Sequence, residues 1–205
     1  MTLNLFKKIV LFLVPLFFSN FLLTAQDKPD QGRLSGNFQA DVQYYKPDSL
    51  IGAPKVAEKV LMNAFANFNY VKGNFSAGLR FESYQNALLG FDPRYKGNGI
   101  PYRYLSYKNY GMEVTVGNFY EQFGSGLIFR SYEEKNLGID NAIEGVRIKA
   151  TPLEGIVIKG FIGNQRNYFE KGQGILRGID ADITINTLFE KLKDKKRILL
   201  LVVVL

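Results

Sequence analysis

The stretch Leu34-Ser35-Gly36-Asn37-Phe38-Gln39-Ala40-Asp41-Val42-Gln43-Tyr44-Tyr45 alternates with a period of two. Leu34, Gly36, Phe38, Ala40, Val42 and Tyr44 fall on one face, and Ser35, Asn37, Gln39, Asp41 and Gln43 on the other. Successive side chains of a strand point to opposite faces, so this pattern predicts a strand with one apolar and one polar side.

The pattern recurs along the chain. Met62 to Tyr70 sets Ala64, Ala66, Phe68 and Tyr70 against Asn63, Asn67 and Asn69, with Phe65 as the exception. Phe75 to Tyr84, Met112 to Val116, Ile143 to Thr151, Ile156 to Asn164 and Ile179 to Asn186 alternate too, and the tyrosine-rich Tyr102 to Lys108 has ambiguous faces. The connections Val71–Asn74, Lys108–Gly111 and Pro152–Gly155 are tight and use turn residues, whereas Lys46–Val60, Gln85–Pro101, Glu121–Ala142 and Gln165–Gly178 are long and polar. Short and long connections alternate, which puts all turns at one end of an up-and-down sheet and all loops at the other. Outer-membrane barrels are built this way. The expected fold is therefore all-β: an antiparallel up-and-down meander forming an outer-membrane-type β-barrel, or part of one, of about 8–9 strands.

The polar faces carry both signs of charge. Lys159 is expected beside Asp180 or Asp182, and Glu113 near Arg147 or Lys149, while Arg80 and Glu82 share a strand. Cross-strand pairs of this kind are worth a few tenths of a kcal/mol up to about 1. These eight residues are the candidates for charges lining a polar lumen. Aromatics near strand ends, among them Tyr44, Tyr70, Tyr84, Tyr102, Tyr104, Tyr110, Tyr120 and Phe169, are expected to form interfacial girdles.

One stretch interrupts the alternation: Gly117-Asn118-Phe119-Tyr120-Glu121-Gln122-Phe123-Gly124-Ser125-Gly126-Leu127. Its glycines lack the spacing of a phosphate-binding loop, no Lys-Ser/Thr follows, and no helical pattern follows, so nucleotide binding is not expected. Glycines within strands mark bulges or bends. The chain is expected to bend inward here, with Phe119, Tyr120 and Phe123 packing in or under the lumen. Gly117, Phe119, Tyr120, Glu121, Phe123, Gly124, Gly126 and Arg130 are the motif candidates.

The chain of 205 residues has no Cys, His or Trp. That removes disulfides, thiol nucleophiles, the commonest general base and the commonest zinc ligand, so no catalytic residue, metal or cofactor is expected. Of the remaining groups, Glu121 and Arg130 would be the first to mutate in a search for activity. At the N-terminus, Lys7-Lys8, an apolar run from Ile9 to Phe18 and a cut after Ala25 form a signal-peptide pattern. Export argues against a nucleic-acid partner despite a net charge of +7. The expected division is residues 1–25 signal peptide, 26–187 barrel, and 188–205 a charged turn and aliphatic tail. That tail, Ile198 to Leu205, does not alternate and is expected to be a poor barrel strand, consistent with a truncated or shifted reading frame.

The Gly117–Leu127 motif followed by Arg130 resembles one found in outer-membrane barrel proteins of Bacteroidota. With Ala25-Gln26, Gly32-Arg33-Leu34-Ser35-Gly36 and Pro101-Tyr102-Arg103-Tyr104, the region from Gly32 to Asn186 is similar to one such family of uncharacterised function. The resemblance implies an outer-membrane barrel with no catalytic residues to carry over, and members longer than this chain. The implied partners are outer-membrane lipid and the barrel-assembly machinery; protein partners are unspecified. The expected role is a non-enzymatic, porin-like or structural envelope protein. The alternative is a soluble exported lipocalin-like barrel, which predicts an apolar lumen and a polar exterior.

Overall fold

The computed structural model describes residues 31–48, 50–53, 58–189, 192 and 200–204. The expected signal segment lies outside these residues, as does most of the charged stretch before the tail. The unit Gly32–Leu205 is all-β. Its strands are β1 (Arg33–Tyr44), β2 (Val60–Lys72), β3 (Phe75–Gln85), β4 (Gly97–Asn109), β5 (Met112–Phe119), β6 (Glu133–Glu134), β7 (Ile139–Asp140), β8 (Ile143–Leu153), β9 (Ile156–Asn167), β10 (Glu170–Thr184) and β11 (Leu200–Val204). One nine-stranded sheet runs in the order β1-β2-β3-β4-β5-β8-β9-β10-β11, and β6 and β7 form a separate small hairpin. Every pairing in the large sheet is antiparallel, so the expected meander forms.

Three differences from the sequence reading have physical causes. The segment Gln165–Gly178 is not a long loop: β9 and β10 extend through it and meet at the two-residue turn Tyr168–Phe169, with Tyr168 at φ 58°. Its Gly, Asn and charged residues read as loop, yet a paired extension beyond the main sheet needs no apolar face. The aliphatic tail does supply a strand, β11, which pairs with β10 from Asp180↔Val204 to Thr184↔Leu200. Consequently the first and eighth expected strands, β1 and β10, do not pair: among the described residues β1 pairs only with β2, and the far edge of β10 carries β11.

The two faces of the sheet are sharply different. One face exposes Leu34, Phe38, Val42, Phe68, Leu79, Leu105, Val116, Ile148, Ile162 and Ile179. The other buries Asn63, Arg80, Glu82, Lys159 and Asp180. The sheet is curled around this polar face. Glu82 on β3 and Arg166 on β9 are four ladder steps apart, about 19 Å across a flat sheet. Their side chains nevertheless meet at 2.6 Å.

Candidate functional site

The concave face and the segment folded onto it form the site. β5 reaches it first. At Gly117 the backbone turns to φ 103°, and a Cβ there would sit 2.3 Å from the Arg103 carbonyl oxygen. The β4–β5 ladder ends at Tyr104↔Gly117, and the Asn118 side chain takes over, its Oδ1 accepting the Arg103 N–H at 2.9 Å. On its other side β5 stays paired with β8 as far as Phe119↔Ile143, and beyond Phe119 the chain leaves the wall and enters the trough. Phe119 and Phe123 are buried with Ile143 and Phe161, and Phe129 packs against them. Gly124 and Gly126, both at positive φ, turn the chain back, so that Gln122 and Arg130 bridge. Arg130 is exposed and stacks over Tyr132.

Ion pairs pin this inward segment to the wall at two levels. At the lower level Lys159 donates to the Gln122 carbonyl at 2.9 Å and meets Asp180 at 2.7 Å and Asp182 at 3.3 Å. Glu121 lies 3.5 Å from Arg147, which also pairs with Glu113. Lys149, opposite Glu113 in the ladder, is exposed at the turn end, and Arg147 takes the carboxylate instead. At the upper level Arg80 meets Glu82 at 2.7 Å, Glu133 at 2.5 Å and Asp140. Arg166 grips Glu82 and Asp140 in turn, and the Tyr120 hydroxyl donates to Asp140 at 3.0 Å. Burial raises the Glu133 carboxyl above its usual range, against the pull of Arg80, and raises the Tyr120 phenol likewise.

The structure therefore gathers Arg80, Glu82, Glu113, Glu121, Arg147, Lys159, Asp180 and Asp182 onto the concave side, with Phe119, Tyr120 and Phe123 among them. Sequence reading did not single out Glu133, Asp140 or Arg166. All three lie in segments that read as loops. Arg166, counted by alternation from Lys159, would fall on the outer face, yet it is buried, and beside it β10 shifts register between Lys171 and Ile175.

The aromatics divide. Tyr44, Tyr70 and Tyr110 are exposed, as girdle residues would be. Tyr84 instead joins Phe65 and Tyr95 in a buried cluster against Tyr168 and Phe169, which caps the trough at its loop end. Beside that cluster, hydrogen bonds from Arg94 and Tyr168 hold the Asp92 carboxyl well below its usual range. Below the inward segment lies a cavity of about 380 Å³ lined by side chains that include Tyr102, Tyr104, Tyr120, Ser106 and Thr115. No cluster of three or more His, Cys, Asp or Glu that would hold a metal ion occurs among the described residues.

A family model described as "Family of unknown function (DUF6029)" matches residues 6–201. No curated protein matches the chain.

Proposed function

We propose, for a chain that belongs to the DUF6029 family of unknown function, that it forms the wall of an outer-membrane β-barrel whose polar lumen is narrowed by the segment 120–142. Its role is porin-like or binding and non-enzymatic, in the envelope of a bacterium of the kind whose barrels the Gly117–Leu127 motif resembles. Lipid covers the outer face, and insertion uses the barrel-assembly machinery.

One observation carries this reading: the sheet is inside out relative to a water-soluble protein. Leu34 and Phe38 on its outer face are 70% and 73% exposed, while Glu82 and Asp180 on its inner face are 1% and 0% exposed. In water the outer face would be a large unsatisfied apolar surface, far beyond the few hundred Å² a soluble monomer exposes. In a membrane it is the ordinary lipid-facing band. The dimensions agree. On β1 the outward residues from Leu34 to Tyr44 are all apolar. Ten steps of about 3.3 Å, tilted by about 40°, give an apolar height of about 25 Å, that of a barrel's lipid band. On this face Arg103 and Lys171 flank Glu144 towards the loop end, Lys72 lies at the turn end, and Arg177 stands opposite Ile162 on β10.

The lipocalin-like alternative requires an apolar lumen, and the ion pairs of the concave face argue against it. Expression of the full chain with its N-terminal segment tests the choice. The expected outcome is recovery in the outer-membrane fraction with heat-modifiable electrophoretic migration. Recovery as a soluble periplasmic protein would overturn the proposal.

A further inference from the structure

We infer that the cavity beneath the inward segment binds a neutral, hydroxyl-rich ligand of small-saccharide class; this rests on the reading of the concave face as a lumen. The lining supplies hydrogen-bonding groups that both donate and accept. Ser106 and Thr115 face each other across β4 and β5, with the threonine hydroxyl 3.1 Å from the serine oxygen. Tyr102, Tyr104 and Tyr120 bring three phenols, and the Tyr102 and Tyr120 rings stack at 5.3 Å with 19° between their planes. Asn118 also lines the cavity, is 1% exposed, and its Nδ2 donates to no acceptor among the described residues. A buried donor left without an acceptor is costly in a structure that satisfies most of its buried polar atoms. An incoming hydroxyl oxygen would accept from it.

The charges exclude the other classes. Arg147 and Glu113 are the charged side chains of the lining, and they pair with each other. Arg147 is further engaged by Thr115 and Glu121. Arg80, above Tyr102, is taken up by Glu82, Glu133 and Asp140. An anion or cation would enter a site with no uncommitted counter-charge, whereas a polyol needs none. The volume, about 380 Å³, falls at the lower end of small-molecule sites, which span about 300–1,000 Å³.

The test uses the full chain, extracted from the outer membrane in mild detergent, with maltose as the probe. The chain has no Trp, so its emission is that of its 12 tyrosines, among them the three phenols of the cavity. The expected result is a saturable change in tyrosine emission on adding maltose. It should weaken about tenfold in the double variant Ser106→Ala, Thr115→Val, which removes two hydroxyl partners. Replacing both members of that pair removes their mutual hydrogen bond together, and Arg147, which loses Thr115 as an acceptor, keeps Glu113 and Glu121, so the variant should keep its heat-modifiable migration. Three outcomes overturn the inference: no saturable response, an unchanged affinity in the double variant, or lysine displacing maltose at lower concentration than glucose does. Membrane-embedded, heat-modifiable protein without a maltose response sinks the ligand assignment alone. Recovery of the chain as a soluble protein sinks the barrel reading on which it rests.

Discussion

The residues that decide this structure are those whose environment forbids substitution. Gly117 is one. Its φ of 103° and the 2.3 Å approach of the Arg103 carbonyl leave no room for a Cβ. Gly117→Ala should destabilise by about 1–3 kcal/mol, read from urea unfolding in detergent, because left-handed strain and a backbone clash act together. Wild-type stability in that variant would show that the bend is not required. Glu82 and Arg166 form a second fixed point, with side chains 1% and 3% exposed. Arg166→Ala leaves Glu82 and Asp140 to share Arg80 and should cost about 3 kcal/mol, the lower end of the penalty for breaking a buried pair from one side. Glu133 gives a pH dependence. Burial raises its carboxyl above 4.5, so the folded state binds its proton more tightly than the unfolded state does. The stability this contributes is complete below pH 4.5 and is lost as pH rises through the folded-state value. Arg80, the strongest of its charged neighbours, opposes the shift, while Asp140 and Glu82 reinforce it and Lys135 weakens it. Limited proteolysis of the segment 120–142 should therefore speed up as pH rises through the folded-state value, above 4.5, and Glu133→Gln should remove most of that rise. An unchanged profile in the variant would assign the effect elsewhere. Of these residues, Gly117 and Glu82 stood out in the sequence because one interrupts a strand and the other shares a strand with Arg80. Glu133 and Arg166 did not, because both lie in segments that read as loops, where no periodic trace marks them.

At the level of elements, alternation located the wall strands but not their ends. β10 begins at Glu170, nine residues before the expected start at Ile179, and β4 begins at Gly97, five before Tyr102. Both extensions lie at the loop end, where a hairpin rises beyond the sheet and its two faces meet similar surroundings. There the period-two signal disappears while the ladder continues. The apolar outer face was legible for the opposite reason: its exposure to one medium along every strand keeps the pattern strict. That face gives a prediction for β8. Ile148 faces outward and Lys149 inward, although they are neighbours. Ile148→Lys should cost about 2–4 kcal/mol on insertion, the penalty for a lysine near the bilayer midplane, and should shift protein out of the membrane fraction. Lys149→Gln should change stability by no more than about 0.5 kcal/mol and leave the membrane yield unaltered. Equal yields for both variants would mean that this face does not meet lipid.

For the whole sheet, the open question of physics is its edges. The sheet curls until β3 and β9 exchange ion pairs, yet β1 on one side and β11 on the other have no further partner among the described residues. β1 is a poor edge for a protein in water. It is 12 residues long, is exposed along nearly its whole length, and has no proline and only the inward-facing Asp41 and the terminal Arg33 as charges. Soluble proteins protect such edges with charge, bulges or covering loops. In hydrocarbon the demand is stricter, because each unpaired N–H or C=O costs several kcal/mol and no water is present to satisfy it. If the apolar outer face lies in lipid, the outward-directed amides of β1 must be paired there, whether with β11 or with another strand. Hydrogen exchange measured residue by residue on membrane-embedded protein separates the cases. In an antiparallel strand alternate amides point to the two sides, so half of the β1 amides bond to β2 and half face the free edge. Exchange of the edge-facing set as slow as that of the β4 amides, which have strands on both sides, is the expected result and means a sheet closed or completed in the membrane. Fast exchange confined to every second residue of β1 would mean an edge in contact with water, which no lipid-spanning sheet can have.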